Sequence, residues 1–271
     1  QPGWYKIACQ SPAGTPSKEK FPAASVRVIH GVGLAMINGS APSDWEDVAA
    51  LGRRDPRNRV SFGLHPWDVP VAPEGWADTL RSFLLAHPTA GIGEMGLDRW
   101  VKDFDPLAQD KAFRVQLALA VELDRALTIH CVKAIGPLMD IVRATALPRR
   151  GFLLHSWNGP VELVPELAKL GAYFSFNVEW LAPRHAPRLE NFRAIPFDRL
   201  LVETDAPVKA PDPERNRFPL GETPDGTTIN HPANIVVAYE ALAELRRLSL
   251  DSLAAQVATN FTRVFGPLSP K

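Results

Sequence analysis

Five polar residues stand near the ends of five apolar runs. They are His65 in VSFGLHP (60–66), Glu94 in AGIGEMGLD (90–98), His130 in ALTIHC (126–131), His155 in GFLLHSW (151–157) and Asp205 in RLLVETDAP (199–207). Three imidazoles and two carboxylates are the donors that divalent transition metals take. Each also has an ordinary reading. A lone histidine on an apolar strand is commonly a hydrogen-bonded core residue, and Asp205 could cap a loop. Glu94 resists that reading, because an unpaired buried carboxylate costs several kcal/mol. Taken together, the five run ends read as a metal or catalytic centre.

Such a centre needs elements that bring distant residues to one place. Two further runs, GVGLAMING (31–39) and AYFSFNV (172–178), complete a set of seven. They are continuous rather than alternating, as in parallel strands covered on both faces. Helical stretches fall between them. Ser43-Asp44-Trp45-Glu46 has capping-box spacing and opens a helix to about Leu51. Residues 74–87 place Trp76, Leu80, Phe83 and Leu84 at helical spacing, and Asp105-Pro106 caps a long helix through Phe113, Leu117 and Val121. Residues 134–146 and 161–170 follow, with Gly171 at a helix end, and 232–247 and 250–260 close the chain. That is seven β/α units in series. An eighth strand is wanted before residue 30, and Trp4–Cys9 is the one candidate. The pattern predicts a single-domain α/β protein, a (β/α)8 TIM barrel whose site lies at the C-terminal strand ends. The alternative architecture is an open doubly wound sheet.

Composition narrows the function. Lys+Arg and Asp+Glu are 30 each, so a zero net charge offers no global attraction to nucleic acid or membrane, and any phosphate contact must be local. Two cysteines, Cys9 and Cys131, make no disulfide framework, and Cys131 reads as a small core residue. No apolar stretch has transmembrane length, and the N-terminal residues lack a signal-sized apolar core. A cytoplasmic monomer without a membrane partner is expected. Residues 206–231, rich in Pro and charge, read as a long loop after the last strand.

GLHPW (63–67), GIGEMGLD (91–98), IHC (129–131), LLHSWNG (153–159) and LVETDAP (201–207) occur in the order and approximate spacing of TatD-type metal-dependent hydrolases. NHPANI (230–235), followed by two helices, resembles that family's C-terminal segment. The resemblance covers roughly residues 31–266. Any one motif is weak, whereas the ordered set is specific. It implies an amidohydrolase-type barrel and a deoxyribonuclease or related phosphodiesterase acting on a phosphodiester such as a DNA end. It implies that Glu94 bridges two divalent metals, that His130 and His155 complete one site, and that Asp205 binds the other metal and helps hold the attacking water. Glu94 and Asp205 are then the catalytic pair, with His65 at the rim near the substrate phosphate. The metal could be Zn, Mn, Mg, Fe, Co or Ni. Trp157 and Trp67, beside His155 and His65, could stack on a nucleobase or close the barrel as packing. Lys133 could meet a phosphate or be a solvated lysine at a helix start. Arg215 and Arg217 could contact phosphates or belong to an ordinary charged loop.

The first strand departs from the family. Where D-x-H-x-H is expected, YKIACQSP (5–12) puts Lys6, Ala8 and Gln10. None of the three replaces its counterpart as a ligand. Residues 1–30 are accordingly an atypical segment, a degenerate first β/α unit, ahead of a hydrolase domain over 31–271. Divergence, a frameshifted or misassigned start, or replacement by His30 or Cys9 would each account for it. The expectation is one tightly held metal at Glu94, His130 and His155, a weak second position, and reduced activity. The rivals are a catalytically degenerate barrel serving as a binding or scaffold protein, and a small-molecule amidohydrolase. Against the latter, no carbamylation-type lysine stands at a strand end.

Overall fold

The computed structural model describes residues 3–8 and 32–266, with side chains from residue 33 onward. Cys9, Gln10, His30 and the rest of the atypical segment lie outside the described residues. Eight strands pair in parallel and in chain order: β1 (Gly3–Ala8), β2 (Val32–Asn38), β3 (Asn58–Phe62), β4 (Gly91–Asp98), β5 (Leu127–Val132), β6 (Phe152–Leu154), β7 (Ala172–Phe176) and β8 (Leu200–Val202). β8 lies against β1. This is a (β/α)8 barrel, since a doubly wound sheet would reverse its strand order. The first strand falls where expected, with Lys6 opposite Met36 and Ala8 opposite Asn38 of β2.

The helices are α1 (Trp45–Arg54), α2 (Trp76–Ala86), α3 (Pro106–Leu123), α4 (Ile135–Ala144), α5 (Val164–Lys169), α6 (Leu189–Ala194), α7 (Ile235–Arg246) and α8 (Leu250–Phe265). Asp105 caps α3 as predicted, accepting from the Leu107 and Ala108 N–H groups. The predicted capping box at Ser43 does not form. Asp44 is the N-cap residue, but its carboxylate accepts from Ser40 N–H and Oγ–H instead, closing the turn after β2. Trp45 packs edge-on to Phe83 and donates from Nε1 to Gly63 O at 3.0 Å, which fixes α1 against the end of β3.

GIGEMG spells the G-x-G-x-x-G spacing of a dinucleotide-binding turn. Its residues are instead the fully buried strand β4. The glycines serve a close approach to β5. A Cβ on Gly96 would stand 1.9 Å from the His130 carbonyl oxygen, and one on Gly93 would stand 2.7 Å from Thr128 Cβ.

β6 and β8 stop earlier than their apolar runs, at Leu154 and Val202. His155 and Asp205 therefore lie just past the last ladder residues, at the barrel mouth. Between β7 and β8, where the sequence suggested no element, 3-10 turns at Val178–Leu181 and Pro183–Arg188 lead into α6. The stretch after β8 is not wholly a loop: β9 (Pro219–Glu222) and β10 (Thr228–Asn230) pair antiparallel. NHPANI fastens it. Asn230 donates to Thr204 O, and Asn234 Oδ1 accepts from the Arg217 and Phe218 N–H groups. Among the described residues, no helix is long and apolar enough to cross a membrane.

Candidate metal centre

Glu94 is the hub. Its Oε1 lies 3.1 Å from His130 Nδ1, 3.2 Å from His155 Nε2 and 3.7 Å from His65 Nε2. Glu94 and His65 are each 1% exposed, whereas His130 and His155 keep 6% and 8%, so the cluster meets the mouth through those two imidazoles. Gly93 and Gly96 let β4 come close enough for Glu94 to reach His130 on β5. Register then sets Gly96 opposite His130. The His155 N–H donates to Ile129 O, which carries the β5–β6 pairing one residue past the strand.

The second nitrogen of each ligand-candidate histidine also meets a carboxylate. His130 Nε2 is 3.0 Å from Asp98 Oδ2, and His155 Nδ1 is 3.0 Å from Glu203 Oε1. Asp205 Oδ1 stands 4.0 Å from His155 Nδ1, on the Glu203 side of that ring. Asp205 is thus near the cluster but outside its tightest group, which is His65, Glu94 and His130, with one donor atom from each mutually within 4.8 Å.

Charge follows these contacts. Burial pushes His65 down to about 3, reinforced by the neighbouring His130, so it is a neutral imidazole. Burial also opposes a charge on His130, but hydrogen bonds to Asp98 and Glu94 outweigh it and raise its pKa. Burial alone would raise Asp98. Its hydrogen bond and charge interaction with His130, then the Trp67 and Trp100 donors, hold it at about 2.

Two amides on α3 hold the segments in place. Gln116 bonds both the N–H and the carbonyl of Leu64, next to His65, and Gln109 does the same for Asp98. They act as backbone surrogates where the strand ladders have ended. From the sequence Glu203 reads as a partner for an arginine, whereas the structure pairs it with His155, and Asp98, Gln109 and Gln116 go unmarked. Asp98 and Glu203 stood inside quoted motifs, beside residues already chosen. Nothing local marks the two glutamines.

Two predicted substrate contacts are placed differently. His65 was expected at the rim but is buried beneath Trp67, because the GLHPW turn folds inward onto Gln116. Its ring meets Trp67 edge-on at 5.1 Å. Trp157 is core, 2% exposed and edge-on to Phe174 at 5.4 Å, and is not available to stack on a base. The exposed aromatics at the mouth are Trp67 and Trp100, 43% and 70% exposed. Both are tied to Asp98, by Trp67 Nε1–H and by the Trp100 N–H, each at 2.7 Å. Exposed Lys133 lies with Nζ 4.0 Å from the Trp100 ring centroid. Arg217 is paired with Glu240, and Arg215 reaches Leu181 O.

The donors fit a divalent cation. Two ligand atoms, each ~2.1 Å from one ion, stand ~3.0–3.4 Å apart at cis-octahedral or tetrahedral angles and ~4.2 Å apart when trans. Glu94 Oε1 stands at such distances from His130 Nδ1 and His155 Nε2, 3.1 and 3.2 Å, and 3.7 Å from His65 Nε2, but the donors that all lie within 4.8 Å of one another are those of His65, Glu94 and His130, and His155 joins them through Glu94. His65 Nδ1 moreover accepts from the Trp67 N–H. A neutral ring so held keeps its proton on Nε2 and offers Glu94 a donor rather than a lone pair.

A parallel barrel with imidazoles gathered on a buried carboxylate at its strand ends is the arrangement of a metal-dependent hydrolase. The comparisons agree with that class. The model of the TatD related DNase family matches residues 17–266, and the chain belongs to this family. It is 30% identical to the 3'-5' ssDNA/RNA exonuclease TatD of Erwinia tasmaniensis, over 87% of this chain and 89% of that one. It is 29% identical to the uncharacterized metal-dependent hydrolase YabD of Bacillus subtilis, over 76% of each. Among solved structures, the TatD homologue YJJV of Escherichia coli K12 superposes with a TM-score of 0.84 over 98% of both chains at 21% identity, a likeness of fold.

Proposed function

We propose that this chain hydrolyses phosphodiester bonds at the ends of single-stranded nucleic acid, using one tightly held divalent metal at Glu94, His130 and His155. The observation that supports it best is the convergence of His130 Nδ1 and His155 Nε2 on one oxygen of buried Glu94, at 3.1 and 3.2 Å. The exonuclease description of a relative covering most of the chain gives the substrate class. A divalent cation there supplies positive charge to a phosphoryl oxygen and makes a bound water more acidic.

The chain's own residues do the rest. Glu94 and Asp205 are the catalytic carboxylates, with Asp205 positioned past β8 to take a proton from the attacking water. His65, buried beneath Trp67, keeps its Nε2 proton on the side of Glu94. Trp67 and Trp100 offer ring faces to the terminal bases, and Lys133 offers a point charge to a phosphate. Stacking has to bear much of the affinity, because a chain of zero net charge gains little from non-specific phosphate attraction. Each stacked base is worth ~1–3 kcal/mol, or about 5- to 150-fold.

Lys6 and Ala8 favour reduced turnover. They occupy β1, paired in register with β2, at positions where the family's first strand supplies metal-site residues. A second metal position would keep only Asp205 and a share of Glu94.

The test is hydrolysis of a 3'-labelled single-stranded oligonucleotide, a blunt duplex and a small amide, each with Mg, Mn and Zn. Metal-stimulated cleavage of the single strand is expected, and Glu94→Gln should abolish it. Trp100→Ala should raise KM about tenfold at similar kcat. Amide hydrolysis without phosphodiester hydrolysis would overturn the proposal.

A further inference from the structure

His130 and His155 present opposite ring nitrogens to Glu94. His130 turns Nδ1 toward Oε1 and Nε2 toward Asp98, whereas His155 turns Nε2 toward Oε1 and Nδ1 toward Glu203. A neutral imidazole has one N–H and one lone pair, and the partner at one nitrogen decides which of the two the other offers. An ionised carboxylate can only accept. A histidine that donates to such a carboxylate through one nitrogen must therefore show its lone pair at the other.

The surroundings keep both outer carboxylates as acceptors. Asp98 Oδ2 accepts from Trp67 Nε1–H and Oδ1 accepts from the Trp100 N–H. For Glu203, the Ser175 hydroxyl donates to Oε2 at 2.5 Å, and the same hydroxyl accepts from the Ser156 N–H, which turns its proton toward Glu203. Asn177 donates from Nδ2 to Glu203 Oε1 at 3.2 Å. Its orientation is set independently, because its Oδ1 accepts from the Glu179 N–H and its Nδ2 also donates to Ser156 Oγ. Glu203 is 0% exposed and Asp98 2%, so water does not dilute these preferences.

We propose that Asp98 and Glu203 are positioning residues that assign the two ligand tautomers. Asp98 holds His130 with its proton on Nε2, and Glu203 holds His155 with its proton on Nδ1. Nδ1 of His130 and Nε2 of His155 then each turn a lone pair toward Glu94, where a divalent cation would be held. A carboxylate behind a ligating histidine also raises the basicity of the ligating nitrogen, and loss of such a partner typically weakens metal binding about 10- to 100-fold. Asp98 has a further consequence. It joins His130 to Trp67 and Trp100, so the groups exposed at the mouth and the buried ligand share one anchor. The inference rests on the metal centre proposed above, though not on its substrate.

The experiment measures zinc affinity by competition with a chromogenic chelator, for the wild type, Asp98→Asn and Glu203→Gln. It also records long-range proton–nitrogen correlations of the imidazoles in the zinc-loaded wild type. The expected result is a 10- to 100-fold weaker affinity for each near-isosteric variant. The spectra should show His130 protonated at Nε2 and His155 at Nδ1. Wild-type spectra with either assignment reversed would overturn the proposal whether or not the variants fold. Variants that bind zinc within about twofold of wild type would also overturn it, given the expected loss. A wild type that binds no zinc overturns the metal centre and this inference with it. A wild type that binds zinc with these tautomers yet cleaves no phosphodiester overturns only the substrate reading.

Discussion

Gly96→Ala tests how the site is assembled. A Cβ at this position would stand 1.9 Å from the His130 carbonyl oxygen, 2.8 Å from its carbonyl carbon and 2.9 Å from its nitrogen. These are backbone atoms, so no rotamer change relieves them, and β4 and β5 must part. Overpacking costs ~1–3 kcal/mol. Backbone strain at a φ of 147° adds to it, since sparsely populated backbone conformations cost ~1–3 kcal/mol. A loss of ~2–6 kcal/mol follows from the two together. For a chain of this size that lowers the thermal midpoint by roughly 10 °C. Because His130 moves with its backbone, zinc affinity should fall as well. Gly226→Ala separates clash from strain: Gly226 has a φ of 83° with nothing within 4 Å of its Cβ position, and the substitution should cost only ~1 kcal/mol. Urea or thermal unfolding of both variants, with zinc titration, is the assay. Equal stability losses in the two variants would refute the close-approach argument, as would unchanged zinc affinity in Gly96→Ala.

Three further outcomes are expected. Dialysed protein should hold about one equivalent of zinc, as three protein ligands with an open position suffice; Lys6→Asp with Ala8→His and Gln10→His should add a second, and two equivalents in the wild type would show that these residues do not weaken the other position. Trp157→Ala should cost ~3–5 kcal/mol as a buried large-to-small change, whereas Trp100→Ala should stay within ~0.5 kcal/mol; equal losses in denaturant titrations would contradict the core placement of Trp157. Burial pushes the Cys131 thiol up to about 12. In a Cys9→Ser background iodoacetamide at pH 8 should therefore leave the native protein unlabelled, with about one thiol in ten thousand ionised, and should label it in urea; rapid native labelling would contradict that burial.

The sequence by itself determined the architecture and the residues that meet. Continuous apolar runs separated by helical stretches predict parallel strands, and a parallel barrel delivers every strand end to one mouth. His65, Glu94 and His130 gather there, with His155 on Glu94 and Asp205 beside His155. Run, turn and cap signals are local, so they are legible one segment at a time. The α3 cap at Asp105 was read correctly for that reason.

Tertiary structure decided what each of those residues faces. Trp157 and Trp100 are alike in sequence terms, yet one lies under Gly159 against Phe174 and the other stands at the mouth beneath Lys133. Asp44 has the letters of a cap but spends its carboxylate on Ser40. Asp98 and Glu203 hold the two histidines only because β4 pairs with β5 at a particular register, and because the chain past β8 turns back toward His155. These contacts join residues 32 and 48 positions apart. A hydrogen bond requires an acceptor within a few tenths of an ångström of its place, and only the closed barrel brings such distant residues to that distance.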